Sequence, residues 1–475
     1  MAYQEGNQNM GKFDWLKGKS SAPAIGKSPE GFRVNILVNT EPNIRVIFNS
    51  NLDGVRIADS SSNGQAVISQ VSSLAHPAAL TFYKGSILVH GPIAINCDQS
   101  VYNFPLNLIK DLHVEGLNLY YSSSSLSFIW KCFGVSAFSF LYDHANGNTG
   151  KLDSFLGALP YEVNSLVVFC MWDNLKFSPK GYKQYYQKLD LCLTYAEAKG
   201  KHVILNAFCD QIDGSSCLLS SAEQDSHLNQ VVEVLKAHGT KHLLIYNNED
   251  WANGNISARF GNYPGVLCCR SQAPNDQLPD QCGSLLDFLT YHSDRSSDWV
   301  RKTGKQILDD AVLGYDFNGT VWTPTGKPGI ETEPIQDFNS TPIDNAVALA
   351  LCYAYGAGYV VHGGFINQPS LLQNCEVNDV SKATLDACAD VYEAMDGQQV
   401  DFSTWKYTRG GLDGFPIAHD DNLASRSYGL ISPDGSDALT IVCQAQSNWE
   451  FKPINGWENA KVTELGCKYV NLLSK

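Results

Sequence analysis

Eight short apolar runs, FGVSAFSFL, NSLVVFCMW, KHVILNAF, KHLLIY, GVLCC, LLDFLTY, PGIETE and GYVVHG, recur in order between positions 133 and 363. Each has the length of a buried strand, and the segments between most of them carry apolar residues at helical spacing. The helix ends are punctuated. Ser178 followed by Pro179 reads as a cap with proline at the first helical position, opening a helix through YKQYYQKLDLCLTYAEAK that stops at Gly200. Ser221 and Gln224 read as a capping box for a helix through LNQVVEVLKAH that ends at Gly239. SSDWVRKTGKQILDDAV, PIDNAVALALCYAYG and VSKATLDACADVYEAM supply further helices. Buried strands alternating with helices require a parallel sheet covered by a helical layer. Eight such units over 131–395 match the size of a (β/α)8 barrel, whose functional residues gather at the C-terminal ends of the strands.

The fold class is therefore α/β, a barrel with a small β-domain on either side. Residues 1–30 form a polar arm rich in Gly, Ser, Lys and Asn, the mark of a mobile tail or of a segment that orders on an assembly partner. Over 31–97, FRVNILV, IRVIF, GVRIAD, QAVISQV and GSILVHG are separated by Asn, Gly, Ser and Pro turns, which predicts a small antiparallel β-sandwich. Residues 98–130, with a serine run at Ser122 to Ser125, read as a linker or an additional β segment. Beyond 395 helical periodicity gives way to SYGLIS, DALTIVCQA, NWEFKP and AKVTELG, predicting a C-terminal β-sandwich over 396–475.

Composition narrows the function. The net charge is −15, and no cluster of Lys and Arg offers a phosphate-binding surface, so a nucleic-acid partner is not expected. No apolar run is long enough for a membrane span, and the N-terminal segment lacks the apolar core of a secretory signal. Most of the 14 cysteines sit inside apolar runs, which predicts buried thiols in place of disulfides or metal ligands. No HExxH, Walker loop, Gly-rich dinucleotide fingerprint or nucleophile elbow occurs, so neither a metal nor a cofactor is expected.

Chemistry is sought at the strand tips. The fourth run continues as YNNEDWANG, presenting Asn247, Asn248 and Glu249, and the seventh lies in GIETEPIQ with Glu331 and Glu333. Along a strand, Glu331 and Glu333 share one face and Ile330 and Thr332 the other. Two carboxylates facing each other from different strands are what glycosidic cleavage uses, one as acid and base, the other as nucleophile. An Asn-Glu pair ending strand four and a glutamate ending strand seven of a (β/α)8 barrel resembles clan A of the retaining glycoside hydrolases. That resemblance spans about residues 131–395. It implies Glu249 as acid/base, Asn248 as the partner of the sugar 2-hydroxyl and Glu333 as nucleophile, with Glu331 a deeper supporting acid. Tyr291 and His292, ending strand six, match the aromatic or histidine that orients the nucleophile in that clan.

Trp172, Asp210, Trp251 and His362 follow or flank other strands, where indole faces suit sugar rings and carboxylate or imidazole suits hydroxyls. Strand two lacks the arginine common in the clan, and strand eight ends in HGGF in place of its tryptophan. In the N-terminal module, NLDGVRIADSSSNGQAVISQV resembles carboxypeptidase-regulatory-like and related immunoglobulin-like modules, which implies a spacer or attachment role. The expected function is a retaining glycoside hydrolase acting on a poly- or oligosaccharide. The alternative is a non-catalytic carbohydrate-binding adhesin or virion surface component built on the same barrel, attached through the N-terminal arm.

Overall fold

The computed structural model describes residues 33–40, 44–61, 64–72, 76–84, 87–97, 100–103, 109–116, 118–122, 128–171, 177–208, 219–247, 263–274, 287–292, 300, 327–332, 341–362, 374–398, 400–418, 426–443 and 450–475. The chain divides into two compact units, Met1–Gly85 with His90–Pro105, and Ser86–Val89 with Leu106–Lys475. The arm over 1–30 lies outside the described residues.

The larger unit contains a closed ring of eight parallel strands. They are β1 (Phe133–Ser136), β2 (Ser165–Phe169), β3 (His202–Phe208), β4 (Leu243–Asn247), β5 (Leu267–Pro274), β6 (Leu289–His292), β7 (Gly329–Glu331) and β8 (Gly358–Val361). Each overlaps one of the eight apolar runs. The helices are α1 (Phe140–Ala145), α2 (Thr149–Ala158), α3 (Tyr185–Ala198), α4 (Ser221–Ala237), α5 (Pro342–Ala354) and α6 (Asp379–Asp396). The fold is a (β/α)8 barrel, and its strands are buried on both faces, as a parallel sheet between a core and a helix layer must be. The helix expected over SSDWVRKTGKQILDDAV lies outside the described residues, apart from Val300.

Two helix starts differ from the sequence reading. Pro179 opens a turn, with Gly181 N and Tyr182 N both donating to Ser178 O (3.2 and 3.1 Å), and α3 begins later, after Gln184 in a left-handed conformation (φ 58°). The capping box of α4 is Ser220 with Glu223, one residue before the expected pair; Glu223 Oε2 accepts from Ser220 N at 2.7 Å. Gln224 instead donates from Nε2 to Leu219 O at 3.1 Å. Serines at 220 and 221 and a Glu-Gln pair behind them offer both boxes; the charged acceptor makes the stronger bond to a helix N-terminus.

The two faces of each strand are separable. Phe133 stacks on Tyr392 of α6 (5.7 Å) and Tyr359 donates to Asn345 of α5 (2.8 Å), so these positions face the helices. Gly134 and Gly358 lie between them on the interior face, where side chains from neighbouring strands crowd. A Cβ on Gly358 would fall 2.5 Å from Cys132 Cβ and 3.2 Å from Ile330 Cγ2. One on Gly134 would fall 3.0 Å from Val360 Cγ2.

A small antiparallel sheet, Leu112–Glu115, Asn118–Tyr121 and Phe128–Ile129, packs at the N-terminal end of the ring. Thr240 Oγ1 donates to Leu112 O (2.6 Å), and Trp130 lies 4.9 Å from the His202 ring at the start of β3. The C-terminal β-domain is a five-stranded sheet among the described residues, running Lys406–Arg409, Ser427–Ile431, Asp437–Val442, Val470–Ser474 and Lys461–Glu464 in spatial order. Strand alternation gives it two apolar faces. Leu439 and Ile441 join the barrel's core, while Ala438, Val442 and Leu473 pack with Phe415, Ile417 and Trp457.

In the smaller unit, Arg33–Asn39 pairs antiparallel with Gln65–Ser72 and parallel with Val101–Asn103. Gly54–Asp59, Arg45–Ser50, Pro77–Lys84 and Ile87–Asn96 form a second sheet. Ile36 and Val38 in the first sheet, and Val46, Phe48, Leu80 and Phe82 in the second, are buried at every other position. The carboxylate of Asp53 is fully buried and receives Arg33, His76 Nε2 (2.9 Å) and Ser72 N (3.1 Å), tying strand ends of both sheets to one turn. No helix among the described residues is long and apolar enough to cross a membrane.

Candidate functional site

The C-terminal ends of the ring strands locate the expected residues. β4 ends at Asn247, so Asn248 and Glu249 follow it directly; both lie outside the described residues, as do Trp172, Asp210, Trp251 and Glu333. β7 ends at Glu331, two positions before Glu333. Tyr291 and His292 are the last residues of β6, and the register sets Tyr291 beside Glu331 and Thr290 beside Ile330.

Glu331 is fully buried. Its neighbours belong to the helix side of the ring: burial and then the Glu331 charge push the Cys352 thiol of α5 up, and burial with the Cys388, Cys352 and Glu331 charges raises the Tyr359 phenol. Ile330, on the other face, points into the ring. Glu331 is thus a buried acid lodged between β7, β8 and α5.

His362 follows β8 directly and is buried. It meets Phe138 edge-on (5.3 Å), and Phe138 meets Phe169, the last residue of β2, at 4.1 Å. These two phenylalanines were not singled out in the sequence; their places just past β1 and at the end of β2 were the only available signal. A polar cluster beside them was likewise invisible. Asp143 of α1 accepts from Ser139 Oγ (3.0 Å), Asn148 Nδ2 (3.0 Å) and Lys151 Nζ (2.8 Å), and Ser139 also meets Cys375 Sγ at 3.6 Å. Ser139 and Cys375 are 236 positions apart, so no spacing could reveal the contact. Burial pushes the Cys375 thiol up to about 12, which leaves it protonated and makes it a structural group.

The eleven described cysteines are buried, and none of them is in a disulfide. Among the described residues, one cluster has metal-ligand composition: Glu197, His238 and His242 bring ligand atoms within 4.8 Å of one another. It sits at the N-terminal end of the strands, since His242 immediately precedes β4. Its hydrogen bonds are those of an ion network. His242 Nδ1 accepts from Val203 N (3.0 Å), so its proton lies on Nε2, aimed at Glu197 Oε1 (3.3 Å). A metal ion at Nε2 would have to displace that proton and its contact with Glu197. Lys241 Nζ holds the other carboxylate oxygen at 3.2 Å, and His238 donates to Glu197 (2.7 Å) and Asp190 (3.2 Å).

No protein-family model matches the chain, and no curated protein matches it. Among solved structures, a family 5 glycoside hydrolase from Bacteroides vulgatus is 11% identical, with 76% of this chain and 92% of that one covered and a TM-score of 0.49. A protein described as a glycoside hydrolase is 11% identical, with 70% and 83% covered and a TM-score of 0.46. A β-glucanase from Saccharophagus degradans in complex with cellotetraose is 11% identical, with 60% and 96% covered and a TM-score of 0.40.

Proposed function

We propose that the chain is a retaining glycoside hydrolase acting on a poly- or oligosaccharide by double displacement. The observation that carries this reading is the order of the ring: Asn248 and Glu249 directly follow its fourth strand, and Glu333 follows its seventh by two residues. The fourth and seventh strands lie three apart in the eight-stranded ring, an arrangement that supports side chains from their tips converging over its mouth.

In the proposed cycle, Glu333 attacks the anomeric carbon while protonated Glu249 gives its proton to the departing oxygen. The covalent glycosyl ester at Glu333 is then opened by a water from which Glu249, now a carboxylate, takes the proton. The negative charge of Glu333 holds the Glu249 proton before attack and releases it once the ester forms. Asn248 binds the sugar 2-hydroxyl, Tyr291 and His292 orient the nucleophile, and Trp172, Asp210, Trp251 and His362 contact the sugar. Strand alternation alone would send Glu333 toward the helices with Glu331. The reading therefore requires alternation to end where β7 ends, at Glu331, before Pro334, a residue that cannot extend a ladder.

The test is turnover on a panel of aryl glycosides and polysaccharides by wild type, Glu249→Gln and Glu333→Gln. Each variant should lose roughly 10,000-fold or more in kcat on any substrate the wild type cleaves. Sugar binding by the wild type without turnover would replace the enzyme by a carbohydrate-binding protein. Carboxylates of Glu249 and Glu333 farther apart than about 7 Å in a crystal structure would exclude the retaining mechanism.

A further inference from the structure

The interior of the ring changes character at its upper end. Hydrogen-bonded register aligns Ser136 with Val167 and Val167 with Ile204. Because barrel strands tilt, a level perpendicular to the axis climbs one residue per strand relative to that register. Two strands on from Ser136 of β1, the level therefore passes through Asn206 of β3. Carried the other way through Ile330, Gly358 and Gly134, it passes through Thr332, directly after β7. The register also sets position 271 of β5, a serine, beside Asn247 and so near this level.

Barrels of this kind fill each interior level with four side chains from alternate strands, mostly Val, Ile and Leu. The level below follows that habit only in part, with Gly134, Ile204 and Ile330. Here Ser136, Asn206 and Thr332 are all short, polar and fully buried. Ser136 Oγ and both side-chain atoms of Asn206 have no hydrogen-bond partner among the described residues. An amide presents two donors and an acceptor, and each buried polar group left unmade costs about 1–3 kcal/mol. Short side chains leave room, and converging polar groups are what a buried water requires.

We propose that the upper level of the ring interior is a hydration site, holding at least one long-lived water between Asn206 and Ser136, beneath the mouth and sealed from bulk solvent. The water donates to Asn206 Oδ1 and accepts from Asn206 Nδ2 or Ser136 Oγ. The inference concerns the scaffold under the rim and stands whether or not the rim turns over a sugar.

Water oxygen-17 relaxation dispersion counts such waters in the intact chain. Wild type should show a dispersion step that Asn206→Leu loses, because leucine both fills the space and removes the partners. Ser136→Ala, a smaller change that keeps the fold if the leucine variant does not, should weaken the same step by shortening the water's residence. The same step height in wild type and variants would overturn the proposal. So would a crystal structure at about 1.5 Å with no water within hydrogen-bond distance of the Asn206 amide, about 3.2 Å.

Discussion

At the scale of single residues, the two glutamates of GIETEPIQ carry separate roles in the proposed function. Glu331 lies between β7, β8 and α5, where its charge acts on Cys352 and Tyr359, and no part of it is exposed. Its role under the proposed function is to position the end of β7. A 2-deoxy-2-fluoro glycoside that traps the covalent intermediate separates the two. Mass spectrometry should place the label on the peptide bearing Glu333 in wild type and in Glu331→Gln, with Glu331→Gln losing about 100-fold or less in kcat from displacement of the strand end. A label on Glu331, or one abolished by Glu331→Gln and kept by Glu333→Gln, would reverse the assignment.

At the scale of elements, the closest constraint on ring closure is the seam where β8 meets β1. Gly358 is there because a Cβ would stand 2.5 Å from Cys132 Cβ. Gly358→Ala should destabilise the protein by about 1–3 kcal/mol, the usual cost of an added carbon in a packed interior. Adding Cys132→Gly should recover part of the loss in a denaturation series, whereas additive losses would show that the seam relaxes by another route. The ring itself was legible because each strand is a continuous apolar run bounded by helix punctuation, and period and length are local properties. What was not legible depends on choices between near-equivalent neighbours or on distance. Ser220 and Ser221 compete for one cap, Pro179 fits a turn as well as a helix start, and the Ser139–Cys375 contact and the Phe138–Phe169 pair assemble only when the ring closes. The polar level of Ser136, Asn206 and Thr332 was hidden for the same reason: its members are 70 or more positions apart and meet only through the tilt of the strands.

At the scale of the whole molecule, the two ends of the ring have different tasks: the C-terminal tips carry the candidate chemistry, and the N-terminal end and helix layer carry buried histidines. His202 donates from Nδ1 to Lys241 O (2.6 Å) and packs against Trp130 and Tyr121, with His242 and Glu197 also acting on it. His227 bonds Ala207 O (2.9 Å) and Tyr186 Oη (3.1 Å), and His242 accepts from Val203 N. Burial lowers all three, His202 to about 3 and His227 to about 4, so each is neutral in the folded protein near pH 7. His238 is the opposite case. Burial opposes its charge, but Glu197 and Asp190 outweigh that and raise it. The Glu197 carboxyl is penalised by burial and still held far below its usual range by His238, His242 and Lys241. The signs then follow from linkage. His238 contributes fully below about pH 6.5, its unfolded value, and that contribution is lost as pH rises through its raised folded value. Glu197 contributes above about pH 4.3 and loses its contribution only on stronger acidification. Below about pH 6.5 the unfolded chain takes up protons on His202 and His227 that the folded chain refuses, at about 1.4 kcal/mol per pH unit for each, and His242 acts in the same direction. The first two amount to roughly 3 kcal/mol per unit, against a total stability on the order of 5–15 kcal/mol. The melting temperature should therefore fall steeply between about pH 6 and pH 4. His202→Gln should melt lower than wild type at pH 7.5, having lost its ring packing, yet decline less toward pH 5. A wild-type melting temperature that stays flat from pH 7.5 to pH 5 would show that these histidines take up their protons in the folded state.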